Sequence, residues 1–146
     1  MNTSDNPEIQ IFQLSGVKHI RPENVIDLLK ENRVCIIDVR EEAESRSENL
    51  DYNNVLLHPM PVIIDRLEYI PKNIPLIIIS SDGVNSTKVA NLLNRQGFQE
   101  VANLDGGIKA WKIKGFRTVK YPTYNPNNSS QACDKGTCGC SCDGCG

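Results

Sequence analysis

Leu76-Ile77-Ile78-Ile79-Ser80-Ser81-Asp82-Gly83-Val84-Asn85-Ser86 is a short apolar run that ends in a polar loop. The apolar spacing of the residues that follow predicts a helix over residues 86–96. In α/β proteins a strand, a loop and a helix in this order present backbone N–H groups to an anion. The stretch therefore predicts an α/β protein with an anion-binding loop, formed by Ser80, Ser81, Asp82, Gly83, Val84, Asn85 and Ser86.

A further apolar run at residues 34–38 has the length of a strand, and residues 101–104 are predicted to form a third core strand. Continuous apolar strands are typical of sheets buried on both faces. Other segments alternate with them: a strand at 9–14, helices at 22–31, 41–46, 63–70, 86–96 and 108–114, and a short strand at 55–57. This alternation predicts one domain with a mostly parallel sheet and helices on both faces.

The composition argues against several classes of function. A formal net charge of −2 and a pI near 5.7 argue against a general nucleic-acid binder. The apolar runs are too short to cross a membrane, and residues 1–7 lack the apolar stretch of a secretory signal. We therefore expect a cytoplasmic protein with neither nucleic-acid nor membrane partners.

The composition changes after residue 119. Pro, Asn and Ser dominate the segment up to residue 132, which has little to bury and reads as a polar linker. Cysteine and glycine dominate the remainder. We predict a folded domain at residues 9–119, a linker at 120–132 and a cysteine-rich tail at 133–146.

Three segments of the chain resemble the rhodanese (sulfurtransferase) family. The loop is similar to the family's Cys-x-x-Gly-x-Arg-Ser pattern, with Gly83 and Ser86 in register. Residues 36–41 are similar to its strand ending in Asp-Val-Arg, and residues 106–115 to its Gly-Gly-x-x-Ala-Trp-x-x-x-Gly signature. Order and spacing match, so the resemblance implies a single rhodanese-like α/β domain. Residues 48–57 depart from the family, which usually has a Gly-His-Ile-like turn there.

Some of these motif residues have plain structural interpretations. We expect Gly106 and Gly107 to form a tight turn with positive φ, and Trp111 to anchor the core. Asp38 and Arg40 are expected to lie at the carboxyl edge of a strand, where a structural ion pair is one interpretation and a functional site another.

The loop lacks the chemistry that the resemblance implies. Ser80 takes the place of the family's nucleophilic cysteine, and Asn85 takes the place of its arginine. A thiolate carries sulfur as a persulfide, whereas a serine hydroxyl stays protonated and forms no sulfane carrier. Neither His19 nor His58 lies in a motif that places a base beside Ser80. Since Asp82 adds a negative charge and no fixed cation remains, we expect Ser80 to be catalytically inactive.

Two interpretations of the loop stay open. In one, residues 80–85 form a degenerate turn, and Ser86 or Thr87 caps the following helix. In the other, the loop still binds a small anion or an acidic side chain of a partner protein. A register shifted by one residue would put Ser81 in the cysteine position without changing either interpretation.

The tail carries chemistry of its own. Glycines and polar residues separate its five cysteines, so nothing in it forms a core: Cys133, Cys138, Cys140, Cys142 and Cys145. Four thiolates suit tetrahedral zinc, and soft ions such as Cu(I) also favour thiolate clusters. We predict that the tail binds zinc or another thiophilic metal. By contrast, Cys35 lies alone in an apolar strand and is expected to be inert.

The tail has two other interpretations. It is a disordered, redox-sensitive segment in one, and a sulfur carrier that supplies the missing nucleophile in the other. A linker of about 12 residues reaches roughly 20 Å, enough to bring a tail thiol to the loop. The function predicted is a non-catalytic binding or regulatory module, whose partner is a protein or a small sulfur or metal species. The alternative is a sulfurtransferase that works through tail cysteines.

Overall fold

Three buried strands form the centre of one parallel sheet, in a computed structural model that describes residues 3–50 and 52–120. They are β2 (Cys35–Asp38), β5 (Leu76–Ile79) and β6 (Val101–Leu104). Two short strands, β1 (Lys18–Ile20) and β4 (Val55–Leu57), flank them in the order β1-β6-β5-β2-β4. All pairings between these five strands are parallel, so their carboxyl ends meet at one edge.

The remaining elements surround this sheet. A separate antiparallel pair joins β3 (Glu48–Leu50) to β7 (Thr118–Lys120). The α-helices are α1 (Pro22–Lys30), α2 (Glu42–Ser47), α3 (Val84–Arg95) and α4 (Gly107–Ile113), and two 3₁₀ segments run from Met60–Val62 and Ile64–Tyr69. Within residues 3–50 and 52–120, none of the helices has the length and apolar composition needed to cross a bilayer.

Apolar side chains form one core on each face of the sheet. Ile78 packs in one cluster with Leu93 of α3. Ile77 belongs to the other cluster, together with Val25 of α1 and Trp111 of α4. The sheet is therefore covered on both faces, which confirms the predicted fold class. The predicted core role of Trp111 is also confirmed, since its side chain is fully buried.

The strand predicted at residues 9–14 is absent. The backbone N–H groups of Glu8, Ile9 and Gln10 instead donate to the carboxylate of Asp105, at 2.6 to 3.0 Å. Donors held by a carboxylate are not available to a strand ladder. The first strand of the sheet is β1, which starts nine residues later than predicted.

Two predicted helices also differ from the structure. In place of the α-helix predicted at residues 63–70, the structure has a 3₁₀ helix at Ile64–Tyr69, a form that is common in short connecting segments. The helix predicted at 86–96 begins two residues earlier, at Val84. Its predicted stop is correct: Gly97 has a φ of +92°.

A close backbone approach joins α4 to the loop at residues 80–86. Gly107 has a φ of +65°, and a Cβ there would lie 2.6 Å from the Ser80 carbonyl oxygen and 2.7 Å from the Asp82 nitrogen. Gly106 also has positive φ, so the predicted tight turn is confirmed. At position 107 any side chain would collide with backbone atoms of the loop, which a rotamer change does not relieve.

Replacing Gly107 with alanine tests this contact. We expect G107A to lower the free energy of unfolding by about 2–5 kcal/mol, because steric overlap adds to the cost of positive φ. G97A is the matched control, since Gly97 also has positive φ but has open space around it. The control should lose only about 1–2 kcal/mol in urea denaturation. Equal losses for the two variants would contradict the proposed overlap.

Candidate functional site

The carboxyl edge of the parallel sheet brings together Ser80, Asp38 and Arg40, which the sequence singled out, and Asp105, which it did not. Ser80 follows β5, Asp105 follows β6, and Asp38 ends β2 with Arg40 two residues later. All four side chains are buried. In open α/β sheets this edge is the usual position of a binding site.

The Ser80 hydroxyl fills the centre of the loop. Ser80 is only 3% exposed. Its Oγ accepts hydrogen bonds from the N–H groups of Gly83 at 3.0 Å and Ser86 at 3.3 Å. These N–H groups belong to the N-terminus of α3, and N–H groups at such a position are suited to binding an anion. The cradle therefore already holds a neutral oxygen of the chain itself.

The cap of α3 differs from the interpretation based on sequence. Ser80 caps the helix, and Asp82 supplements it by accepting the Val84 N–H at 3.1 Å. Thr87 does not cap, because its hydroxyl donates to the Gly83 carbonyl at 2.6 Å. Ser86 does not cap either, since its hydroxyl points to Asn103. Side chains from before the helix, rather than from its first turns, therefore accept the N–H groups of Val84 and Ser86.

The hydroxyl protons of this cluster have one consistent arrangement. The Ser86 hydroxyl contacts Oδ1 of Asn103, an amide oxygen that only accepts, so Ser86 donates to it. The Ser80 hydroxyl, 2.9 Å from Ser86 Oγ, consequently donates to Ser86. Ser80 thus accepts two hydrogen bonds and donates one. Its proton faces another hydroxyl and not a base.

His19 lies at the far end of this hydrogen-bond network. β1 pairs with β6 so that His19 is opposite Asn103, and Asn103 Nδ2 lies 3.0 Å from His19 Nδ1. Sequence analysis found no motif that would place His19 near the loop, because the pairing joins residues far apart in the chain. The Asn103 amide separates His19 from the serines. An amide is a poor proton relay, so the arrangement does not activate Ser80.

Gln10 is a supporting residue that sequence analysis missed. Its Oε1 accepts from Asn103 Nδ2 and from the Gly106 N–H, both at 2.9 Å. Its Nε2 donates to Thr87 Oγ1 at 3.0 Å and to the Gly83 carbonyl at 3.3 Å. One amide therefore connects the loop to the turn before α4. No sequence motif marks such a residue, because only the folded N-terminal segment places it there.

A cavity of about 300 Å³ opens beside the loop. Four of the predicted loop residues line it, and the others in its lining come from the strand end and the neighbouring segments: Ser80, Ser81, Asp82, Asn85, Val39, Arg40, Glu41, Glu44, Met60 and Pro61. Gly83 and Ser86 are buried and Val84 is half-buried, and none of the three lines the cavity. The anion-binding role of the seven loop residues remains a prediction.

Arg40 corrects one expectation about charge. The sequence led to the expectation that the loop has no fixed cation, yet the buried residue Arg40 lines the cavity. Asp38 neutralises it through two hydrogen bonds, at 3.1 Å to Nε and 3.0 Å to Nη2. The structural ion pair is therefore present. Glu41, Glu44 and Asp82 also line the cavity, so carboxylates outnumber the guanidinium among the described residues of its lining.

The cysteines fall into two groups. Cys35 is buried within β2, and burial raises the pKa of its thiol, which keeps the thiol protonated and unreactive. The predicted metal ligands are Cys133, Cys138, Cys140, Cys142 and Cys145, which lie outside the described residues. The linker from residue 121 onward also lies outside them. Metal binding by the tail and the domain boundaries therefore stay predictions.

The capping role of Ser80 can be tested by removing its hydroxyl. We expect S80A to lower the free energy of unfolding by about 1–2 kcal/mol, because the Gly83 and Ser86 N–H groups would lose a buried acceptor. S81A is the control, since the Ser81 hydroxyl makes a hydrogen bond at the surface. It should change stability by less than about 0.5 kcal/mol. The Ser80 assignment is wrong if the two variants unfold at the same urea concentration.

The histidines predict how stability depends on pH. Burial lowers the pKa of His19 below its ordinary 6.5, against a smaller opposing effect of Asp105. Burial also lowers the pKa of His58, and Arg66 adds to the shift. Below about pH 6.5 the unfolded chain binds protons that the native chain does not. The free energy of unfolding therefore decreases as the pH is lowered.

Urea denaturation between pH 7.5 and pH 5.5 measures this effect. The wild-type midpoint should decrease over this range, and the H19Q/H58Q double variant should show a much smaller decrease. The carboxylates of Glu23 and Glu48 do not confuse the result, because their pKa values are lowered and they titrate below this range. If the urea midpoint of the double variant decreases as much as that of wild type, the histidines are not the source of the pH dependence.

Comparison with known proteins agrees with the geometry. The rhodanese-like domain profile matches residues 21–114. The chain is 35% identical over 104 residues to the tRNA uridine(34) hydroxylase of Chlamydia muridarum, which covers 66% of this chain and 31% of that protein. It is 30% identical over 103 residues to the thiosulfate sulfurtransferase GlpE of Coxiella burnetii, which covers 70% of this chain and 89% of that protein.

A solved structure gives the same result. The rhodanese-like domain protein from Staphylococcus aureus superposes with a TM-score of 0.60 at 32% identity, over 68% of this chain and 95% of that one. The chain spans about a third of the length of the hydroxylase that it matches. The profile covers more than half of the chain, and strand order, loop and Gly-Gly turn are all in place. The chain therefore belongs to the rhodanese-like domain family.

Proposed function

We propose that this chain is a rhodanese-like binding or regulatory module whose loop transfers no sulfur. The observation that carries the proposal is the hydrogen bonding of Ser80. Its oxygen accepts two backbone N–H groups and its proton is donated to Ser86, so neither is free for chemistry. A hydroxyl in this state is a poor nucleophile, and no base among the described residues contacts it.

The charges of the cavity support the same proposal. A thiosulfate donor is a dianion, and it would meet the carboxylates of Glu41, Glu44 and Asp82. Arg40, the one cation among the described residues of the lining, is already paired with Asp38. Binding a dianion there would cost free energy, since like charges repel most strongly where water is partly excluded.

The tail completes the proposal. Its five cysteines are spaced for a thiolate cluster, and we propose that they bind zinc or another thiophilic metal. Because cysteine thiols must lose their protons to bind a metal, the affinity of the tail for the metal should rise with pH. The module would then combine a folded protein-binding domain with a metal-binding segment.

A second function is supported by one relative. The Coxiella burnetii protein, which this chain matches over 89% of its length, is named a thiosulfate sulfurtransferase. If this chain has that activity, a tail cysteine would supply the nucleophile in place of Ser80. A tail thiolate would attack the outer sulfur of thiosulfate, take it up as a persulfide and release sulfite.

A thiocyanate assay separates these functions. Full-length wild type, S80A and a variant with all five tail cysteines replaced by serine are incubated with thiosulfate and cyanide. We expect no thiocyanate above the blank from any of them. Activity lost in S80A would contradict the proposal, and activity lost only in the five-serine variant would establish the second function.

Metal analysis of the same samples tests the tail. Zinc measured by elemental analysis after anaerobic purification should be near one per chain in wild type and S80A. It should be lost in the five-serine variant, because that variant keeps the domain and removes only thiols. Wild-type protein without bound metal, after purification with zinc present, would contradict metal binding.

A further inference from the structure

The buried ring of His19, on β1, uses one of its nitrogens and leaves the other without a partner. The residue is 2% exposed, and Nδ1 lies 3.0 Å from Asn103 Nδ2. In the part of the chain that the structure describes, no group forms a hydrogen bond with Nε2, although this atom is buried. Buried polar atoms nearly always have a hydrogen-bond partner, so an exception of this kind calls for an explanation.

The backbone determines which nitrogen of the ring carries the proton. The Gly106 N–H only donates, so the Gln10 atom that it contacts at 2.9 Å is the amide oxygen. That oxygen also accepts from Asn103 Nδ2 at 2.9 Å, which orients the Asn103 amide in turn. Because Asn103 Nδ2 only donates, His19 Nδ1 accepts from it. The ring is therefore neutral, and its proton is on Nε2.

This hydrogen bonding is incompatible with a protonated ring. A proton added at Nδ1 of His19 would place two donors 3.0 Å apart, and neither N–H of the ring would have an acceptor among the described residues. A buried charge is costly unless it is paired and hydrogen-bonded. Burial accordingly lowers the pKa of His19, against a smaller opposing effect of Asp105. Protonation therefore requires the groups around the ring to move.

Polar contacts hold residues 4–12, which we call the N-terminal strap, to the same place. The backbones of Ser4 and His19 exchange two hydrogen bonds, at 2.8 and 2.9 Å. Three N–H groups of the strap donate to the Asp105 carboxylate, and the Gln10 side chain joins the amide network. The strap thus depends on the cluster of groups that surrounds the His19 ring.

Little apolar packing supplements these polar contacts. Within the strap, Ile9 is 41% exposed and Ile11 is 96% exposed. Leu14, just after the strap, packs partly buried against a core cluster. Segments with few buried apolar contacts open at a lower free energy than the core does. We therefore expect the strap, rather than the sheet, to yield when the ring is protonated.

Several charged groups lie around the strap and the ring. They come from β1 and the residue after it, from the strap, from α3 and from the turn after β6: Lys18, Arg21, Asp5, Glu8, Lys88 and Asp105. The charge of Asp105 favours a proton on the ring. The pKa of Asp5 is lowered, chiefly by its hydrogen bond with Lys18. Since carboxylates also take up protons at low pH, a test has to compare variants that differ only at a histidine.

We propose that the strap is a pH-sensitive switch: protonation of His19 releases it from the sheet edge and removes Gln10 from the loop. Gln10 contacts the Gly83 carbonyl on one side and the Gly106 N–H on the other, so its release breaks the link between the loop and the turn before α4. The strap opens increasingly below about pH 6.5, because the released ring takes up a proton near its ordinary pKa. The switch does not depend on whether the loop transfers sulfur, so its failure would leave the proposed function intact.

Native-state hydrogen exchange of the full chain tests the switch. Protection factors of the amides at residues 8–10 should fall by up to about tenfold per pH unit below pH 6.5, and should be lower than those of β5. H19N should abolish the fall, since an asparagine oxygen accepts a hydrogen bond much as Nδ1 does and takes up no proton. H58N is the matched control, because His58 is also buried and follows β4 at the opposite edge of the sheet. It should keep the wild-type fall.

Two results of this experiment would overturn the switch. Equal protection of residues 8–10 and β5 would mean that the strap opens only when the whole domain unfolds. A fall that persists in H19N, or that disappears in H58N, would assign the proton to another group.

Nitrogen-15 magnetic resonance of the histidine rings tests the same mechanism in wild-type protein, without any substitution. At pH 7.5 the His19 ring should be neutral and carry its proton on Nε2. On acidification, the amide signals of residues 80–86 should shift with the same midpoint as the His19 ring. A proton on Nδ1 at pH 7.5, or loop signals that do not follow the titration of His19, would refute the proposal.

Discussion

The backbone contact between the start of α4 and the loop is the constraint on which the site depends. The N–H groups of Ile108 and Lys109 donate to the carbonyls of Ser80 and Ser81, at 2.9 and 3.0 Å. Such bonds require two backbones to approach directly, and only glycine at position 107 leaves room for it. Since the loop follows β5 and the turn follows β6, the register of these two strands sets the geometry of the site.

The charge at the N–H cradle depends on whether a hydroxyl or a thiolate occupies it. Donors at a helix N-terminus stabilise any acceptor, but a thiolate brings a negative charge and a hydroxyl does not. Ser80 therefore satisfies the cradle without adding charge. The electrostatics of the cavity are left to side chains, and there the carboxylates of Glu41, Glu44 and Asp82 outweigh the paired Arg40.

Sequence reasoning succeeded where the signal is local. The three apolar strands, the stop at Gly97 and the turn at Gly106 are each encoded within a few neighbouring residues. It failed where a side chain acts across the fold. His19 reaches Asn103 across 84 positions of sequence, and its strand is too short, at three residues, to show a period.

The charge of the site could likewise be predicted from the sequence only in part. Asn85 stands where the resembling motif has arginine, and this led to the expectation that no fixed cation is present. The structure adds Arg40, whose place in the cavity depends on the end of another strand and on its pairing with Asp38. Sequence alone predicts the types of residue at a strand end but not which of them face the same cavity.

The anchoring of the N-terminal segment has a consequence for folding. The Asp105 carboxylate accepts N–H groups from residues that precede it by 95 to 97 positions. Contacts of this separation carry a large loop-closure entropy and tend to form after local structure has assembled. A chain can therefore hold its central sheet before Gln10 has closed on the loop. We expect the site to be complete only at the end of folding, so that its integrity reports on the whole domain.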